Sequence, residues 1–200
     1  MSVAMALTDY IPVALFIAGA ILLQRVLYDE LPKGAYALLA GGTIMVSTAG
    51  IFKATWKLLY ALGVYDFERL TQSFFPMQSV GFMLAGIAAA AYAFGWRIDK
   101  NKVYEAAVPV FAGTMIFVAL NVLGALGLCG GMAKASFDRK RKLAGWLFII
   151  AFVGMLMMGY LSTKDFDKAI YNWIAQGVNT LAEGAFLAAS VQYAKAKKEG

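Results

Sequence analysis

The sequence predicts an all-α polytopic membrane protein of six transmembrane helices, and three observations predict it. The 200-residue chain is 61% hydrophobic and only 15% charged, against about a quarter charged for a soluble domain, and its mean hydropathy is +0.67. Its apolar residues fall in long runs rather than in a 3.6-residue stripe, so the helices are apolar on nearly every side. Six of these runs approach or exceed the roughly 20 residues needed to cross a hydrocarbon core about 30 Å thick.

The first span, about 9–28, begins after Thr8 and Asp9, either of which can cap a helix N-terminus, and carries Pro12 in its first turn. The second, about 34–62, starts near Gly34 and runs past Lys53 and Lys57. The third, about 68–96, is uncharged from Leu70 to Trp96, and the fourth, about 106–133, from Ala106 to Ala133. The fifth covers about 143–163. The sixth, about 167–194, is interrupted only by Glu183. Connections are short, so neighbouring helices are expected to run antiparallel.

Basic residues orient the chain. The second and fourth loops and the C-terminus carry Arg69, Lys134, Arg139, Lys140, Arg141, Lys142, Lys195, Lys197 and Lys198. The other loops carry Arg25, Lys33, Arg97, Lys100, Lys102, Lys164 and Lys168. The margin of nine to seven is narrow, but the RKRK cluster at 139–142 favours a cell-membrane protein with both termini in the cytoplasm. The N-terminus lacks a basic n-region and its first apolar segment is too long for an h-region, so it reads as a permanent span rather than a cleaved signal.

The halves of the chain repeat. Asp66, Phe67, Glu68 and Arg69 recur as Asp165, Phe166, Asp167 and Lys168, and the match continues as Ser73 with Asn172 and Phe74 with Trp173. After a one-residue slip it pairs Gln78 with Gln176, Val80 with Val178 and Gly86 with Gly184. An odd number of spans per unit turns the second copy over, so residues 1–100 and 101–200 are expected to form a 3+3 inverted repeat. The same features also begin membrane helices generically. The plan resembles that of small transporters made of paired three-helix bundles, such as the sugar-transporting SWEET proteins. The resemblance is architectural and assigns no residues.

Polar groups inside the spans are the candidate site. Asn172, Gln176, Asn179 and Glu183 follow one another at i, i+4, i+7 and i+11, one face over about three turns. Against lipid such a face is costly, so it should line a path or bond to other helices. Lys53 and Lys57 are like charges one turn apart and call for a nearby acid. Lys57 lies near enough to a helix end to serve as an interfacial anchor. Lys53 is deeper, and Glu183 sits at a similar depth from the end of its own helix, so Lys53, or failing that Lys57, is expected to pair with Glu183. Gln72, Ser79 and Gly86 share a stripe of the third span, with Pro76 and Gln78 alongside, and Asn121 stands alone in the fourth. The expected path residues are Lys53, Lys57, Gln78, Ser79, Asn121, Asn172, Gln176, Asn179 and Glu183.

Other chemistries find little support. The chain has no histidine, and its one cysteine, Cys129, lies in an apolar Gly-rich stretch. That leaves no disulfide framework, no thiolate or imidazole metal site and no ordinary triad base. Neither enzymatic activity nor a cofactor is expected. The net charge of +6 sits in interhelical loops and reads as membrane orientation, not nucleic-acid binding. The expected function is a small transporter or channel with a polar path between two three-helix units. The alternative is a non-catalytic scaffold or accessory subunit of a larger membrane complex. Expected partners are the lipid bilayer and a second copy or other membrane subunits.

Overall fold

Helix begins almost at once, because Ser2 caps it: its Oγ accepts from the Met5 N–H at 3.3 Å. The structure, a computed structural model, describes residues 2–96, 114–161 and 169–198. α1 (Val3–Thr8) leads through Asp9 into α2 (Tyr10–Leu27). Thr8 and Asp9 thus lie within the span instead of capping it. Thr8 Oγ1 donates to Met5 O at 2.8 Å, and the Asp9 carboxylate is ion-paired with Lys57.

α3 (Lys33–Ala61) follows, then α4 (Glu68–Gln72) and α5 (Phe74–Phe94), which ends where Gly95 turns left-handed at φ +66. The second half comprises α6 (Thr114–Ala125), a π-helical turn (Leu126–Gly130), α7 (Gly131–Asp138), α8 (Lys142–Leu161) and α9 (Ala169–Lys198). The opening of the expected fourth span, 106–113, and the Asp165–Lys168 arm of the sequence repeat lie outside the described residues. Among those described, five stretches are long and apolar enough to cross a membrane: Val3–Leu27, Lys33–Ala61, Glu68–Phe94, Ile116–Asp138 and Lys142–Leu161. The polar face of α9 lowers its apolarity below theirs, although it is 30 residues long.

Contacts between helices fix their directions. Gln24 Nε2 donates to Thr43 Oγ1 at 2.8 Å and Tyr10 bonds Thr55 at 2.9 Å, so α2 and α3 are antiparallel. Gly42 packs on Gly81 and Ala85 while Lys53 meets Phe74, so α3 and α5 are antiparallel too. Gly124 lies against Phe82 and Met83, Gly127 against Gly86 and Gly131 against Ala89, so α5 and α6–α7 run parallel. Likewise Gln176 meets Thr8, Gly184 meets Leu15 and Gly19 meets Phe186, which makes α2 and α9 parallel. α8 is antiparallel to both its neighbours, with Gly145 on Phe137 and Gly154 on Ala182.

Three expectations change with these directions. The sets α2–α3–α5 and α6/α7–α8–α9 run in the same sense, not inverted, so a rotation about the bundle axis relates their directions. The end of α5 and the start of α6, expected to be antiparallel neighbours, lie at opposite ends of the bundle. The start of α2 and the end of α9, expected on one side, also lie at opposite ends. The ends are named below for Lys57 and Arg139, the residues that mark them.

The core is built from small residues and aromatics. Backbones touch where α3 crosses α5 and α5 meets α6: a Cβ on Gly81 would come within 2.7 Å of Gly42 O, and one on Gly86 would collide with Gly124 O. Phe16, Phe82, Phe148 and Phe186 fill the interior, with centroids of Phe16–Phe82 at 5.9 Å, Phe16–Phe186 at 5.2 Å and Phe148–Phe186 at 5.9 Å.

Candidate functional site

On α9, the residue one turn before the stacked Phe186 is Glu183, and on α5 the residue one turn before Phe82 is Ser79. Both are buried, Glu183 at 8% exposure and Ser79 at 0%. Asn121 lies one turn before Gly124, which packs on Phe82. The registers Gly124–Phe82 and Gly184–Leu15, with Phe16 bridging Phe82 and Phe186, bring Ser79, Asn121 and Glu183 to within about one to two turns, roughly 5–10 Å, along the bundle axis. Among the described residues, Ser79 Oγ, Asn121 Oδ1 and Glu183 Oε2 are buried atoms without a hydrogen-bond partner. Native interiors leave few such atoms, and these three, one of them a carboxylate oxygen, lie at similar depth.

The rest of the expected α9 face leads from this layer toward the Lys57 end. Gln176 Nε2 donates to Thr8 Oγ1 at 3.4 Å, and Asn172 and Asn179 are half-buried. The face is turned to α1 and α2, since it is on these helices that Gln176 and Gly184 find their contacts. Gln78 is half-buried on α5 beside Ser79.

The two lysines take other partners. Lys57 is paired with Asp9, and Lys53 Nζ sits 4.0 Å from the centroid of the Phe74 ring. The expected pairing of either with Glu183 is therefore not what the structure has. The reason lies in helix direction: both depths were measured from C-terminal helix ends, and α3 and α9 run opposite ways. Phe74, the neighbour of Lys53, is about 12 Å nearer the Lys57 end than Phe82.

At the Arg139 end the bundle is tied together by residues that are not among the expected path residues. Arg139 Nη2 donates to Glu30 Oε2 at 2.7 Å, and its Nη1 donates to the hydroxyls of Tyr92 and Tyr193. These hydroxyls bond each other at 2.8 Å, and Tyr92 also donates to Glu30. Arg141 Nη1 donates to Tyr193 O at 2.6 Å and its guanidinium lies over the Tyr193 ring, 4.7 Å from its centroid. The cluster gathers residues from the C-terminal ends of α2, α5, α7 and α9, and so joins both three-helix sets. Its signal in the sequence was the RKRK run, read only as a marker of orientation. Tyrosines near span ends had the ordinary meaning of interfacial residues.

Cys129 is fully buried in the π turn. π turns inside α-helices often accompany functional sites. Two surface depressions lie at the two ends, one lined by Tyr60, Gly63, Tyr65 and Asp66, the other by Lys140–Ala144 and Gln192, and neither includes Glu183.

Five helices long and apolar enough to span a bilayer, with a sixth carrying a polar face inward, define an α-helical multi-pass membrane protein. Compared with family models, curated proteins and solved structures, the chain matches none.

Proposed function

We propose that the chain is a small membrane transporter whose translocation site is the layer of Glu183, Ser79 and Asn121. The observation that carries this reading is the buried Glu183 carboxylate oxygen, unpartnered among the described residues in the interior of the bundle. An ionisable group inside a membrane helix is expensive, and where it serves only packing it is normally paired. The surroundings support the reading. Phe16, Phe82 and Phe186 bound the layer toward the Arg139 end, and the Arg139–Glu30 cluster closes the bundle beyond them. Toward the Lys57 end, Asn179, Gln176 and Asn172 continue as a polar face. A site sealed on one side by a breakable cluster suits alternating access, in which two repeats rock about a midplane site. Three-helix sets that run in the same sense suit the parallel-repeat form of that plan.

The scaffold reading rests on a different observation: neither surface depression reaches Glu183. The two readings part in reconstituted liposomes loaded with candidate ions and solutes. Transport predicts flux in wild type and at least a tenfold loss in Glu183→Gln. No flux under any condition supports the scaffold.

We further propose that the Arg139 end faces the cytoplasm. It carries Arg25, Lys33, Lys134, Arg139, Lys140, Arg141, Lys142, Lys195, Lys197 and Lys198, against Lys53, Lys57 and Arg69 at the other end among the described residues. A tag before Val3 should then be reached by impermeant reagents on intact cells, and one after Lys198 only after permeabilisation. Equal access to both tags would overturn this topology.

A further inference from the structure

The three orphaned atoms share a chemistry: each is an oxygen able to accept a hydrogen bond, and one belongs to a carboxylate. A site for an anion would show a cationic side chain in place of the Glu183 carboxylate. Here Lys57 is engaged with Asp9, Lys53 lies on Phe74 and Arg139 is engaged with Glu30. Above the oxygens lies an apolar wall of Phe16, Phe82 and Phe186. We propose that the ligand of this layer is a small primary alkylammonium. Its charge answers the Glu183 carboxylate, its three N–H donors answer the Asn121 and Glu183 oxygens and the Ser79 hydroxyl, which can also accept, and its alkyl group lies against the phenylalanine wall. A metal cation would satisfy the oxygens but gain nothing from the rings. A quaternary ammonium would match the charge and the wall but has no hydrogen to donate. The inference names the substrate class of the transport site proposed above and rests on that reading.

Binding and flux separate the two. The full chain in nanodiscs is heated in the presence of propylammonium, its permethylated quaternary analogue, sodium, or N-methylglucamine as an ionic-strength control. Propylammonium should raise the thermal midpoint in a saturable way, at concentrations at least tenfold below those at which sodium or the quaternary analogue acts. Glu183→Gln should abolish the response, and Ser79→Ala and Asn121→Leu should each weaken apparent affinity several-fold. Ser79→Ala, which only removes a hydroxyl, decides the matter should Glu183→Gln fail to fold. An equal response to the quaternary analogue, a response to sodium alone, or none to any cation would overturn the proposal. Flux of an uncharged solute with no ammonium response would leave transport standing and remove this substrate. Ammonium binding without flux would do the reverse.

Discussion

The two interfaces that join the three-helix sets, α5 with α6–α7 and α2 with α9, occupy corresponding places in the bundle and are built from opposite materials. Along α5 and α6 the contact is backbone on backbone, with Gly86, Gly124, Gly127 and Gly131 removing every side chain that would hold the helices apart. Along α2 and α9 it is ring on ring, with Phe16 stacked on Phe186, and the polar face that ends in Glu183 lies beside it. Close backbone packing has one good geometry, because nothing in it can change rotamer. A seam of rings and polar groups has several. The difference assigns the first interface the part of a fixed spine and the second that of the surface where change is tolerated.

The largest effect should come from the spine. A Cβ at Gly124 would run into the backbone of Phe82 and Met83, which cannot turn aside. Gly124→Val should therefore cost about 3 kcal/mol or more, seen as loss of a monodisperse, thermally cooperative protein in detergent. On the other interface, Gly184 has Leu15 Cδ1 at 4.0 Å as its nearest neighbour, and Gly184→Ala should be tolerated or stabilising, by up to about 1 kcal/mol of helix propensity. Equal damage at both positions would erase the distinction. The second effect is functional and opposite in sign for stability: Glu183→Gln should remove flux while leaving the thermal midpoint unchanged or higher, since a neutral amide is cheaper to bury than a carboxylate. A midpoint several degrees lower would mean that Glu183 is a structural group.

How far the sequence could be read follows the same division. Span number and extent came from uncharged length, a local property, and the described helices fall where those runs lie. The α9 face was legible because i, i+4, i+7 and i+11 place residues without reference to the rest of the fold. Helix direction across the bundle was not legible: it depends on the route between α5 and α6, and an uncharged run has no arrow. The error at Lys53 followed from it, since a correct depth was counted from the wrong end. The Arg139 cluster depends on four helix ends meeting, and no spacing along one helix contains that information. The glycines at 81, 86 and 124 permit close packing, but their positions in the sequence do not say which helix each touches.

The third prediction concerns that cluster. Arg139→Ala removes hydrogen bonds between the two sets and should cost about 1–2 kcal/mol, moderated by the partial exposure of the pair. It should also open the Arg139 end, which native Cys129 reports: the thiol is fully buried on that side of the phenylalanine layer, and maleimide labelling should quicken several-fold. Lys57→Ala breaks an ion pair within one set and should cost about 1 kcal/mol without changing the labelling rate. Adding Asp9→Ala should recover part of that loss, because the orphaned carboxylate is the expensive state. Faster labelling in Lys57→Ala would show that the Lys57–Asp9 pair also restrains motion between the sets.

The smallest expected effect discriminates most sharply. Lys53→Met keeps the aliphatic stem and removes the ammonium. The loss is a cation–π contact with Phe74, worth about 0.5–1 kcal/mol, offset by relief of a few tenths of a kcal/mol of repulsion from Lys57 one turn away. The net change in unfolding free energy should lie within about 0.7 kcal/mol of zero. Were Lys53 instead the partner of Glu183, the same substitution would strand a buried carboxylate and cost about 3–5 kcal/mol, and Glu183→Leu added to it would restore most of the loss. Thermal unfolding of the single and double variants therefore tests whether Lys53 and Glu183 are coupled. With Lys53 on Phe74 and not on Glu183, the two residues act independently and their effects add.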